Sequence, residues 1–454
     1  MADDGGRMSV ARLRELVNDG AVDTVALAVT DLQGRLQGKR CSARWFLEEV
    51  LKHGAEACNY LLAVDVEMNT VGGYALASWE QGYGDFELVP DLQTLTVLPW
   101  QERSALVHCD LRWSDGAPVD QAPRQVLRRQ VDRLAERGLV AYAGTELEFL
   151  LFENSFEQGW KDTYRTLVPA SRYNVDYSLF GVATSSPVLD VICRGMEGAG
   201  LYVESVKGEC NRGQYEIAFR YDEVVRTCDN HALYKTGAKE IAHQLGRSLT
   251  FMAKFDQREG NSCHVHLSLR SADGDPVLSG SGTYGFSPLM EHFLAGQLAA
   301  LRDFTLLLAP NINSYKRYVA ASFAPTTVAW GVDNRTCALR VVGSGQSLRV
   351  ENRVPGGDVN PYLALAALIA AGLYGIEREL PLEPASMGNA YTQTRPRVPS
   401  SLAEARELFA NSAIAKEAFG EDVVAHYLNA ADVELAAFGA AVTDWERVRG
   451  FERL

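Results

Sequence analysis

Cysteine pairs are missing from this chain. Its eight cysteines (Cys41, Cys58, Cys109, Cys193, Cys210, Cys228, Cys263, Cys337) include no C-x-x-C spacing, so neither a disulfide framework nor a zinc ribbon fits a chain this long. Reduced thiols in a cytoplasmic protein are expected. No run of eighteen apolar residues occurs, and the most apolar stretch, Tyr362 to Ile376, reads as a buried helix rather than a membrane span. The first residues, Met1 to Met8, are polar and carry no apolar signal core. The phosphate loop G-x-x-x-x-G-K-[ST] is absent, so a nucleotide, if bound, is held by another scaffold. Positive charge is short: 44 Lys and Arg face 58 Asp and Glu, a net charge of −14. That balance argues against nonspecific binding to nucleic acid or anionic lipid. It suits a site that gathers divalent cations.

What is present divides in two. A chain of 454 residues exceeds one ordinary core. Residues 8 to about 110 read as a small mixed unit: a helix over Val10–Asn18, strands over Val22–Asp31 and through Arg40, a helix over Ala43–His53, and strands near 85–91 and 94–98. The Asp-, Gly- and Pro-rich segment Trp113 to Pro123 is the expected linker. Beyond it, helices are expected over 123–137, 230–245, 288–307, 361–379 and 402–409. Strands are expected near 140–152, 201–206, 214–219, 248–253, 263–270, 338–342 and 348–352. The class is α+β, with a small β-rich unit before a larger one built on a mostly antiparallel sheet.

Four of those strands carry chemistry. Gly144-Thr-Glu146-Leu-Glu148-Phe149 places two carboxylates on one face, because strand side chains alternate. A lone E-x-E is more often an exposed strand edge. Recurrence changes the reading: Glu209 and Glu216 flank a turn, Cys263-His264-Val-His266 offers two same-face imidazoles, and Arg349-Val-Glu351-Asn-Arg353 alternates charge. Carboxylates crowded together repel unless cations compensate them. Oxygen donors with an imidazole suit Mg²⁺ or Mn²⁺. Arg317, Arg335 and Arg340 add groups that bind carboxylate or phosphate, so metal-assisted phosphoryl transfer is the chemistry implied.

Taken in order, Gly144-Thr-Glu-Leu-Glu-Phe, Gly213-Gln-Tyr-Glu-Ile, Gly260-Asn-Ser-Cys-His-Val-His, Asn313-Ser-Tyr-Lys-Arg, Asn334-Arg to Arg340, Arg349-Val-Glu-Asn-Arg and Asn360-Pro-Tyr-Leu resemble the type I glutamine synthetase set. The resemblance implies a β-grasp domain over residues 1–113 and a catalytic domain with a curved antiparallel sheet over 114–454. It implies Glu148, Glu209 and Glu216 as ligands of one ion and Glu146, His264 and Glu351 of a second, with two or three ions per site. His266, Ser268, Arg340 and Arg349 are implied as ATP contacts, and Gly260, Arg317 and Arg353 as glutamate contacts. Arg335 and Arg317 are implied to act on the transferring phosphoryl group. The family's assembly implies a dodecamer of stacked hexamers with shared sites.

Two departures bear on the amine. The family's flap carries a glutamate that closes the ammonium site, whereas Val319-Ala-Ala-Ser-Phe323-Ala-Pro325 places a phenyl ring there. The family's aspartate-bearing segment, which reaches a neighbouring subunit's ammonium site, has no match near residues 55–70; Asp65 or Glu67 is the candidate replacement for the amine pocket. In these respects the chain resembles γ-glutamylamide synthetases, above all the actinobacterial γ-glutamylethanolamide synthetases. The substrates implied are L-glutamate, ATP and a small organic amine, with a polyamine or ammonia as alternatives. Tyr391 lies near the adenylylated tyrosine of some relatives but lacks its Leu-Tyr-Asp-Leu setting, so control by adenylylation is not expected.

Overall fold

The computed structural model describes residues 7–454; most of the polar N-terminal segment lies outside them. Alternating apolar positions build two sheets. The first contains β1 (Thr24–Thr30), β2 (Leu36–Ser42), β3 (Ala55–Cys58), β4 (Asp85–Pro90), β5 (Thr96–Val97) and β6 (Ser104–Arg112), in the order β2-β1-β6-β4-β3 with β5 on β6. β1 and β6 run parallel and the other pairs antiparallel. The second sheet contains β7 (Leu139–Phe152), β8 (Val203–Gly208), β9 (Gln214–Phe219), β10 (Asp222–Glu223), β11 (Ser248–Thr250), β12 (Cys263–Ser271), β13 (Trp330–Val332), β14 (Leu339–Val342) and β15 (Arg349–Asn352). Its order is β13-β14-β15-β12-β7-β9-β8, and only β13–β14 is parallel.

The long central strand β7 alternates through its first half. Leu139, Ala141 and Ala143 are buried, while Val140, Tyr142 and Gly144 are partly open. One face therefore meets helices and the other faces the site. On the helix side Thr145 Oγ1 lies 3.1 Å from His231 Nδ1 of the helix Val224–Gln244. The helix Pro361–Glu377, expected from its apolar run, is buried along nearly its whole length. No described helix is long and apolar enough to cross a membrane, and all eight thiols are free.

The segment 113–123, expected as a linker, turns back on β6: Trp113 N donates to Ala117 O (2.8 Å), Val119 N donates to Leu111 O (3.1 Å), and Val119 is buried. Two expectations need revising. The helix expected over 288–307 stops at Ala300 and restarts as Thr305–Leu308, with the Thr305 hydroxyl donating to Leu301 O at 2.7 Å. That side-chain bond competes with the helical ladder. The helix Leu179–Gly198 has no counterpart among the expected elements, because Gly181, Pro187 and Gly195 give it poor local propensity. Packing compensates: a Cβ on Gly195 would lie 2.9 Å from Ile241 Cδ1, so the glycine allows the neighbouring helix to approach.

Candidate active site

Strand register assembles the site. Across β8, β9 and β7, Lys207 stands opposite Glu216, and Glu216 opposite Glu148. Across β14, β15 and β12, Arg340 stands opposite Glu351, and Glu351 opposite His266. Between these rows His264 faces Glu146. Directly opposed residues hold their Cβ atoms about 5 Å apart, so each row brings its charged groups within reach of one another.

The first row leads to a carboxylate cluster. Single carboxylate oxygens of Glu148, Glu209 and Glu216 lie within 4.8 Å of one another. Glu148 is buried and accepts from Gln214 Nε2 (2.9 Å), Ser262 N (2.8 Å) and Ser262 Oγ (2.5 Å). Burial, and then the charge of Glu209, push its carboxyl up to about 8. Burial and Glu146 raise Glu216, and burial raises Glu209 despite the Lys207 ammonium paired with it. Three crowded oxygen donors whose charged forms are this disfavoured fit a divalent cation, which would relieve the repulsion.

The second cluster is paired differently. Glu146 accepts from His264 Nδ1 (3.0 Å) and His266 Nε2 (2.9 Å). The buried Glu351 is held by Arg340 Nη1 (2.8 Å) and by Arg353. Burial and Arg353 push His264 down to about 4, so its imidazole is neutral at pH 7, the form that can bind a cation. Ligand atoms of Glu146, His266 and Glu351 lie within 4.8 Å of one another, while His264 sits 3.0 Å from Glu146 and 3.5 Å from Glu351. The expected second set thus has His266 as a further member, because both imidazoles share one face of β12. Arg349 Nε donates to His266 Nδ1 at 3.1 Å and orients that ring.

Two cavities meet at Glu146. One, of about 240 Å³, is lined by the expected ligands with Gly260, Arg317, Phe323, Arg335 and Arg353. The other, of about 450 Å³, is lined by Tyr142, Phe219, Tyr221, His266, Ser268 and Arg349. Arg335 is exposed, and among the described residues its guanidinium has no hydrogen-bond or ion-pair partner. Arg317 is buried and donates through Nη2 to the carbonyls of Arg353 (3.2 Å), Val354 and Pro355 (2.9 Å), so it clamps the turn after β15. Gly260 is required by crowding, since a Cβ there would lie 2.1 Å from Ala253 O. Phe323 is 56% exposed with a left-handed φ of 60°, and its carbonyl accepts from Arg353 Nη2 (3.4 Å). The Tyr391 hydroxyl donates to Ala324 O (3.1 Å), tethering the same segment.

Asp65 and its alternative Glu67 are brought to neither cavity. Asp65 accepts from Asn69 N (2.7 Å) and Asn69 Nδ2 (3.0 Å), closing its own turn. Conversely, Asp176, Tyr177, Lys207, Cys210 and Ser262 line the smaller cavity and are not among the expected site residues. Lys207 has a readable signal, being two positions from Glu209. Asp176 and Tyr177 lie in a loop with no pattern of its own.

The comparisons agree on one family. Residues 120–449 match the glutamine synthetase catalytic domain. The chain belongs to the glutamine synthetase family. It is 62% identical to the γ-glutamylethanolamide synthetase GlnA4 of Streptomyces coelicolor, over all of this chain and 98% of that one. It is 36% identical to a glutamate–isopropylamine ligase of a Pseudomonas species, covering 98% of each. With the glutamine synthetase of Thermotoga maritima the identity is 30%, over 97% of this chain and 99% of the other. A solved GmaS/ADP complex superposes with a TM-score of 0.85 at 27% identity, covering 97% and 99% of the two chains. The protein is therefore a ligase on the glutamine synthetase fold.

Proposed function

We propose that the protein joins the γ-carboxylate of L-glutamate to ethanolamine at the expense of ATP, through a γ-glutamyl phosphate. The observation that carries the amine choice is Phe323, which lines the smaller cavity at the flap position where the resemblance implies a glutamate in ammonia-using members. A phenyl ring packs against a carbon chain and cannot hold a small cation by full charge. The full-length similarity to a protein named for ethanolamide formation supports the same reading.

A carboxylate is a poor electrophile, and phosphorylation makes its carbon open to attack by an amine. Glu148, Glu209 and Glu216 would hold one divalent ion, Mg²⁺ or Mn²⁺, and Glu146, His264 and Glu351 another, with a third compatible with this acid-rich site. When bound, such ions neutralise phosphate charge and polarise phosphoryl oxygens. The chain's own groups do the positioning. His266, Ser268, Arg340 and Arg349 orient ATP, Arg317 and Arg353 fix the wall on which glutamate rests, and Gly260 lets backbone approach it. The unpaired Arg335 guanidinium is free to meet the transferring phosphoryl group. Phe323 covers the intermediate and excludes water, which would otherwise hydrolyse it.

In this reading the enzyme is cytoplasmic and assembles as a dodecamer of stacked hexamers. Phosphate release with glutamate and ATP, compared across ammonia, ethanolamine and putrescine, tests it. Ethanolamine is expected to give the highest kcat/KM; ammonia or putrescine in first place replaces it with glutamine or γ-glutamylpolyamine synthesis.

A further inference from the structure

Phe323 brings no charge to the smaller cavity, yet an alkylammonium ion needs a counter-charge on its way to the acyl phosphate. Another residue lining the same cavity supplies one. Asp176 lines it beside Tyr177, on the loop before the helix Leu179–Gly198. The Asp176 carboxylate has one hydrogen-bond partner, the Cys210 thiol at 3.5 Å, and among the described residues no cation lies within ion-pair distance. Its oxygen also lies within 4.8 Å of donor atoms of Glu209 and Cys210. The neighbouring corner already holds an alkylammonium: Lys207 Nζ sits 5.1 Å from the Tyr177 ring centroid and pairs with Glu209. A ring face and carboxylates grouped in this way attract ammonium ions. Tyr177 is 72% exposed with φ of 54°, so most of its ring remains open.

We propose that Asp176, with the Tyr177 ring, is the amine-recognition element of this site, docking the substrate's ammonium group while Phe323 covers its carbon chain. The inference rests on the organic-amine reading above and names the residue that sets its amine specificity. Glu259 is the other cavity carboxylate outside the expected ligand set. It adjoins Gly260, on the glutamate side, and so is assigned no part in amine binding.

Hydroxylamine separates charge recognition from everything else, because it attacks acyl phosphates yet is uncharged at neutral pH. Steady-state kinetics of the full-length enzyme with Mg²⁺ would compare ethanolamine with hydroxylamine. In Asp176→Asn the ethanolamine-to-hydroxylamine ratio of kcat/KM is expected to fall about tenfold to a hundredfold, the loss of one charge-assisted contact, mainly through the KM for ethanolamine. Asp176→Glu should recover part of that loss. An unchanged ratio overturns the proposal. So does a loss seen instead in the KM for glutamate or in Mg²⁺ dependence, which would make Asp176 a metal ligand. A ratio that falls in Glu259→Gln but not in Asp176→Asn also overturns it. If the wild-type enzyme uses ammonium and no organic amine, the ethanolamine reading fails separately. The ammonium-to-hydroxylamine ratio in Asp176→Asn then decides the residue's role.

Discussion

Glu148 shows most directly what a single buried side chain demands of this site. Its carboxyl is raised from 4.5 to about 8 by burial and by Glu209. A raised folded-state value means that the ion-free protein keeps its full stability below the ordinary carboxylate range. It loses stability as pH climbs through that range toward 8. With chelator present, the Tm is therefore expected to fall between pH 5 and pH 8. Added Mg²⁺ should restore more at pH 8 than at pH 5.5, and calorimetry at both values checks this. Phe323 supplies a second test on one side chain. Phe323→Glu should raise the ammonia-to-ethanolamine ratio of kcat/KM about tenfold or more, the size of effect that exchanging one pocket group produces; steady-state kinetics with both amines reads it. Glu146, Glu148, His264 and His266 are legible in the sequence because strand period two puts alternating chemistry on one face. Asp176 and Ser262 are not, since a loop and a strand margin fold them onto the site. Asp65 is suggested by sequence position alone; within its own chain its carboxylate accepts from Asn69, and the amine site it is expected to serve is that of a neighbouring subunit.

Elements meet through buried charge and close backbone approach. Arg124, on the helix Pro123–Ala135, donates to Asp229 (3.0 Å), Asp110 (2.5 Å) and Asp91 (2.7 Å), and the Tyr362 hydroxyl donates to Asp229 at 2.6 Å. This knot ties the first sheet to three helices of the larger unit. Burial opposes the charge of Asp229, but His108, Arg124 and Tyr362 outweigh it and hold its carboxyl well below the usual carboxylate range. Its contribution is present above that range and disappears as pH falls through the depressed value. Removing one partner of a buried pair strands the other, so Asp229→Ala is expected to cost about 3–5 kcal/mol in chemical denaturation. A second contact joins the helices Pro288–Ala300 and Pro361–Glu377, where a Cβ on Gly296 would lie 2.1 Å from Ala371 O. Gly296→Ala should destabilise by roughly 1–3 kcal/mol through overpacking, read as a lowered Tm. The two strongest helical patterns, Val10–Asn18 and the apolar Pro361–Glu377, are readable because packing agrees with local preference. The helix Leu179–Gly198 is not, because tertiary contacts override its glycines and proline.

Across the whole molecule, the ATP-and-metal half of the site and its amine half carry different information. The acid and imidazole rows recur across strands in a fixed order, which makes the family legible in the residue pattern itself. The proposed amine half draws on two loops, around Phe323 and Asp176, that share no sequence pattern. Apolar side chains also remain open near the C-terminus, where Trp445, Val448 and Phe451 are exposed. Assembly as proposed would cover such side chains between subunits. A competition in one tube decides the amine: enzyme, glutamate, ATP and Mg²⁺ with equal concentrations of ammonia and ethanolamine, the products resolved by mass spectrometry. γ-Glutamylethanolamide is expected as the dominant product, formed one-to-one with phosphate. Glutamine as the dominant product would contradict an amine site rebuilt around Phe323.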